Sequence, residues 1–159
     1  MRTIKFKAKR QDNGQWVAGD LLQHLDGDVL IGDNTGPWTD DGYSHCDYHR
    51  VCKVNPKTVC QHTGCEDKNE KAIYEGDILQ DKSRGGYIYT EKSGYYGVIV
   101  FDLICKRFVL KTVKIPNSDA DSTLEGYFET IAQAYLDDFE VIGSIHDKEW
   151  QEKLNLKSE

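Results

Sequence analysis

No stretch of this 159-residue chain stays apolar for the roughly 18 residues a membrane-crossing helix requires, so the sequence predicts no membrane partner. The opening MRTIKFKAKR also lacks the apolar core of a secretion signal. Five cysteines form an odd set in a chain without such a signal, which points to free thiols in a reducing, cytoplasmic setting rather than to a disulfide framework. Positive charge is short as well: 20 Lys and Arg stand against 27 Asp and Glu, a formal charge of −7. Polyphosphate binding is driven by cations that displace counterions, so nucleic acid is disfavoured as a generic partner. No internal repeat or low-complexity tract is visible.

The imbalance of charge is local. Arg2, Lys5, Lys7, Lys9 and Arg10 crowd the first segment, whereas Asp119, Asp121, Glu125, Glu129, Asp137, Asp138 and Glu140 share the stretch from Asn117 to Glu140 with no base. Such a run is a solvated face or a surface for a protein partner.

What the chain does have is alternation. In TIKFKAK, Ile4, Phe6 and Ala8 share one face and the lysines the other, the pattern of a half-buried strand. Asp12–Gly14 predicts a tight turn with positive φ, QWVAGDLL returns, and a turn at Asp26 and Gly27 leads to DVLIG, so a three-stranded meander opens the fold. Residues 33–52 carry Gly, Pro, Asp and aromatics without period, and read as a loop-rich excursion. KVNPKTV reads as an extended segment with Pro56 at a strand edge. YYGVIVFDL and KRFVLKTV predict a central hairpin, joined around Ile104 to Lys106. Leu124, Phe128, Ile131 and Tyr135 recur at helical spacing behind a Ser122/Glu125 capping box, which predicts a helix. FEVIGSI predicts a last strand, and DKEWQEKLNL a short helix from Asp147 that packs Trp150 and Leu154. The length suits a single domain, 1–159, able to bury about 68 to 70% of its unfolded surface.

The chemistry-bearing candidates are few. His45, Cys46, His49, Cys52, Cys60, His62 and Cys65 carry soft ligand atoms, and thiolates with imidazoles on short turns can close a tetrahedron around zinc. Yet the usual C-x2-C knuckle is missing, and Cys60 and His62 fall on one face of a strand. Free thiols packed as small hydrophobes are the reading preferred. Cys46 and His49 lie close in sequence, but nothing matches a nucleophile motif such as G-x-S-x-G. Glu75 and Asp77 flank Gly76 and offer paired carboxylates for acid/base or cation work; the alternative has Asp77 bonding the turn backbone with Glu75 in water. The glycines of RGG and SGYYG are followed by no helix that would cradle a phosphate. Tyr87, Tyr89, Tyr95 and Tyr96 near Lys82, Arg84 and Lys92 could stack bases, or simply build strands.

The segment TVCQHTGCEDKNEKAIYEGDIL, residues 58–79, resembles the hallmark of the YopX family of phage and prophage proteins, approximately T-V-G-Q-Y-T-G-L-x-D-K-N-G-x-x-I-Y-E-G-D-I. Gln61, Thr63, Gly64, Asp67, Lys68, Asn69, Tyr74, Glu75, Gly76 and Asp77 match position by position. MRTIKFKAK and DDFEVIGSIHDK are similar to the family's opening and closing segments. The resemblance implies a mainly β, partly open small barrel of SH3-like or PRC-like kind with one or two helices. It implies no assigned activity, cofactor or catalytic residue. Cys60, His62 and Cys65 replace family residues that are not ligands, and Glu70 stands where Gly is common, so its turn either needs no positive φ or carries strain. The expectation is a non-catalytic module in the cytoplasm of a bacterial host, without cofactor, binding a host or phage protein or forming a homo-oligomer. The alternatives are a metal-dependent enzyme on the His/Cys cluster with Glu75 and Asp77, and an acidic mimic of nucleic acid.

Overall fold

The computed structural model describes residues 4–32, 51–82, 89, 95–116, 118–119, 128–130 and 136–156, with the backbone alone for 128–130. Strands dominate, and backbone contacts gather the chain into two compact units, Met1–His62 and Thr63–Glu159.

In the first unit, β1 (Phe6–Lys9), β2 (Trp16–Gln23), β3 (Val29–Gly32) and β4 (Val51–Lys53) form an antiparallel meander. β5 (Cys60–Glu66) pairs its first residues with the other side of β1, giving the order β4-β3-β2-β1-β5. The period of two in TIKFKAK is realised: Ala8 is fully buried with Ile31 and Val54, and Phe6, Val17, Leu21, Val29 and Val59 pack around them. Lys7 and Lys9, on the opposite face, lie over the Trp16 ring at 4.8 and 5.2 Å. Of the residues expected at positive φ in the first turn, Gly14 alone adopts it. KVNPKTV departs from its expected extended form, because Pro56–Thr58 is a turn of 3-10 helix. Asn55 caps it, its side chain accepting from the Lys57 amide, and Pro56 occupies the first turn, where its missing N–H is no loss. The expected excursion ends early, since Val51 and Cys52 already belong to β4; its remaining residues, 33–50, lie outside the described ones.

In the second unit, β5 continues beside β6 (Ala72–Tyr74), and β7 (Asp77–Asp81), β8 (Tyr95–Asp102), β9 (Arg107–Lys114), β10 (Phe128–Thr130) and β11 (Phe139–Ser144) make a five-stranded antiparallel sheet in the order β10-β9-β8-β7-β11. The β8–β9 hairpin is in unbroken register from Tyr95 opposite Lys114 to Asp102 opposite Arg107. Both faces of this sheet are packed, which is why β8 reads as a continuous apolar run and not as an alternation. Leu79, Ile99, Leu110, Phe139 and Val141 join Ile73, Tyr89 and Leu136 on one side. Ile78, Tyr96 and Val98 meet Trp150 and Leu154 on the other. Mainly β architecture is therefore present, as two antiparallel sheets that do not close into a barrel.

The helix expected behind Ser122 is overruled where the structure describes it. Phe128–Thr130 is a strand paired with Lys111, Leu110 and Val109. Gly126 weakens a helix there, and the open edge of β9 offers hydrogen bonds to an aromatic and β-branched segment that local periodicity does not register. Ser122, Leu124, Glu125, Ile131 and Tyr135 lie outside the described residues.

The C-terminal helix forms as expected over Lys148–Lys153, with Asp147 at its N-cap. Trp150 and Leu154, one turn apart, are its buried anchors. The Trp150 ring meets Tyr96 edge-on at 5.1 Å, and Lys153 donates to the Tyr96 hydroxyl at 2.9 Å while lying over both rings. Room for the indole comes from Gly143, beside a shift of register between β11 and β7: a Cβ there would stand 1.9 Å from Trp150 Nε1. Gly143→Ala should expel the indole, lowering stability by about 1–3 kcal/mol. The check is a denaturant melt with Trp150 emission shifted to the red already in native buffer.

Candidate functional site

The hallmark segment folds around two buried carboxylates. Asp67 is 5% exposed and Asp77 is fully buried. Asp67 opens the loop between β5 and β6. Its backbone N–H donates to Lys71 O and its carbonyl accepts from the Glu70 amide, each at 2.9 Å, so the loop closes as a four-residue turn. Its Oδ1 accepts from the amides of Asn69 at 2.8 Å and Lys71 at 3.0 Å, and Oδ2 accepts from the Val141 amide on β11 at 3.0 Å. The Lys68 amide donates to Phe139 O at 2.9 Å, and Lys68 Nζ lies 3.3 Å from Glu140 Oε2. A single side chain thus shapes the turn and fastens it to the last strand, 74 residues on. Glu70 takes φ +62, so the second branch of the sequence expectation is the one realised: without the family's glycine, this turn is strained.

The second turn repeats the device. Asp77 Oδ2 accepts from the Tyr74 amide at 2.9 Å across Glu75 and Gly76. Gly76, at φ +75, donates to Ile99 O at 2.8 Å and accepts from the Ile145 amide at 2.9 Å. A Cβ at Gly76 would stand 3.2 Å from Ile145 Cγ1. Burial, with the nearby Asp77 charge second, raises the Tyr74 phenol above its ordinary range, so the ring stays neutral at physiological pH. Thr63 donates to Ile73 O at 2.9 Å and accepts from the Cys65 amide at 3.1 Å, bracketing Gly64 at φ +90. Gln61 stands opposite Phe6 in the β1–β5 pairing, and Asn69 is exposed.

These bonds bear on the chemistry weighed above. Glu75 is half-buried, but Asp77 is closed to solvent, so the two do not form an exposed acid/base pair. Among the described residues no three of His, Cys, Asp and Glu come together as a cation site. Cys60 is buried, its thiol donating to Thr58 O; Cys52 faces its neighbour Ile31 on β3; Cys65 packs against the larger core; and His62 is half-buried on β5. His45, Cys46 and His49 lie outside the described residues. The proposed stacking tyrosines are core residues: Tyr89, Tyr95 and Tyr96 are 1%, 3% and 2% exposed, while Tyr87, Arg84 and Lys92 lie outside the described residues. Of the acidic run, Glu140 is partnered by Lys68 and by Lys82 Nζ at 3.8 Å.

One feature escaped the sequence reading. At the β8–β9 turn, Leu103 is 72% and Ile104 91% exposed, with Phe101 beside them. The signal was present as LIC, an apolar triplet where a turn between strands ordinarily carries polar residues.

A chain with two antiparallel sheets and a carboxylate-fastened turn thereby defines a β-rich scaffold whose most distinctive residues act on its own backbone. The family model described as YopX protein matches residues 5–149, through both compact units, and the chain belongs to the YopX family. No curated protein matches it. Among solved structures, protein EF1440 from Enterococcus faecalis is similar over 97% of this chain and 99% of that chain, at 20% identity and a TM-score of 0.49.

Two substitutions probe the turn in opposite directions. Asp67→Ala strips three backbone amides of a charged acceptor and should lower stability by about 3 kcal/mol or more, read as the midpoint of urea unfolding. Glu70→Gly relieves the positive φ and should raise that midpoint, by about 0.5–1 kcal/mol.

Proposed function

We propose that this chain is a non-catalytic, phage- or prophage-encoded module that acts in the bacterial cytoplasm by binding a protein, either a host or phage protein or a second copy of itself. The observation that carries this reading is the β8–β9 hairpin tip. Leu103 and Ile104 stand in water, and the T-shaped Phe101–Phe108 pair, 5.3 Å between centroids, supports them from the strands behind. Exposed apolar patches of a few hundred Å² on soluble proteins tend to be functional.

The tip is also held in shape. Asp102 Oδ1 accepts from the Cys105 amide at 2.6 Å and the Ile104 amide at 2.8 Å, and Lys106 completes the turn at φ +54. Ordering it beforehand reduces the entropy lost on binding. The Cys105 amide is the largest cause that lowers the Asp102 carboxyl below its ordinary range. Because the folded value lies below the unfolded one, this reinforcement is present at neutral pH and fades only as pH falls through the lowered value. Lys106 and Arg107 beside the apolar pair favour an acidic rim on the partner. This reading needs no cofactor. The burial of Asp77, with its bond to the Tyr74 amide, supports it further, because it leaves little for an acid/base or cation chemistry that pairs Glu75 with Asp77.

The test is the double variant Leu103→Asp/Ile104→Asp. It should keep its melting temperature, since both residues lie outside the core, and should lose either self-association in sedimentation velocity or capture of a cross-linked partner from host lysate. A folded double variant that associates and captures as the wild type does would sink the reading.

A further inference from the structure

The alternation of β1 gives its two faces different characters. Phe6 and Ala8 pack into the core of the first unit, while Lys7 and Lys9 stand on the other face. The ladder reaches back to Lys5, whose carbonyl accepts from the His62 amide, so three lysines follow one another at about 6.8 Å, twice the rise of a strand. From β2, Trp16 stands opposite Lys9 and Ala18 opposite Lys7. The ammoniums of Lys7 and Lys9 lie over the one Trp16 ring at 4.8 and 5.2 Å, gathered by a side chain that carries no charge to cancel theirs. This face is open toward β2, where Ala18 and Asp20 are exposed, and closed toward β5, where Cys60, opposite Lys7, is buried. Lys5 is exposed as well.

We propose that the row Lys5, Lys7 and Lys9 docks an extended acidic peptide of a partner protein, lying along β1 with Asp or Glu at three alternate positions. The match is one of charge and of period. An extended chain sends every second side chain the same way, at the same repeat as the lysines, so three carboxylates meet three ammoniums in register. Trp16 and Ala18 offer apolar surface beside the row. Asp20, the next residue on that face of β2 after Ala18, repels a fourth acid at the Lys5 end. A single strand of nucleic acid fits less well. Its bases stack on an aromatic face, and two ammoniums already lie over the Trp16 ring. The chain's charge of −7 also repels a polyanion that runs on beyond the row.

This surface is separate from the hairpin tip, and its test is run in the Leu103→Asp/Ile104→Asp background so that the tip cannot contribute. The probes are a fluorescent peptide with three glutamates at alternate positions, a peptide of the same composition with the glutamates consecutive, and oligothymidylate, each read by fluorescence anisotropy. The alternating peptide should bind about fivefold or more tightly than the consecutive one, a gain of one or two surface ion pairs. Its affinity should fall as salt rises. Lys7→Glu/Lys9→Glu should abolish the binding, and Lys7→Gln/Lys9→Gln, the gentler companion, should weaken it about fivefold or more. Should the charge reversal fail to fold, the glutamine variant decides alone. A wild-type row that does not bind the alternating peptide overturns the proposal, as does one that binds both peptides equally, since bulk charge then explains the contact. So does a folded glutamine variant that binds as before, or oligothymidylate bound more tightly than either peptide.

Discussion

The arrangement of the second unit depends on one buried carboxylate accepting three backbone amides. Asp67 is itself nearly closed to water, where an unmet charge is expensive and a met one is strong. Two of its bonds are local and shape a turn; the third reaches β11. The local bonds position the carboxylate so that the distant one forms without further ordering of the chain. Closing so long a loop carries an entropic penalty that grows only slowly with length, so one strong, well-aimed contact can hold it.

Other parts of the second unit inherit this constraint. With β11 fixed, Gly143 presents a gap where a side chain would otherwise stand, and Trp150 fills it and brings the C-terminal helix onto the sheet. With the Glu75–Gly76 turn bonded to Ile99 and Ile145, β6, β8 and the segment after β11 converge on one glycine. Each step relies on backbone groups at places where a side chain would not fit. The hallmark residues consequently read as a set of fasteners. Outside the fasteners, the β8–β9 tip holds Leu103 and Ile104 in water on a turn with internal bonds of its own.

The burial of the two aspartates limits what they can do chemically. A catalytic carboxylate must reach a substrate, and its lone pairs must be available when the proton moves. Asp67 and Asp77 are instead covered by protein and engaged by amides. Cys60 is buried with its thiol donating to Thr58 O, and Cys65 packs against the larger core.

Much of this was legible in the residues themselves. Alternation in TIKFKAK, the apolar runs of YYGVIVFDL and KRFVLKTV, and the spacing of Trp150 and Leu154 fix strands, a hairpin and a helix because each depends on neighbours a few positions away. Family membership was legible too, since a dense motif survives as a string. Sequence did not reveal that Asp67 bonds Val141 or that Phe128–Thr130 joins the edge of β9 against its own helical period. Those outcomes turn on partners far along the chain, and a local pattern contains no term for them. The sequence alone thus determined the alphabet of short elements, while tertiary structure decided which edges they occupy and which carboxylates they bury, because only in the folded chain do distant backbone groups compete for the same acceptor.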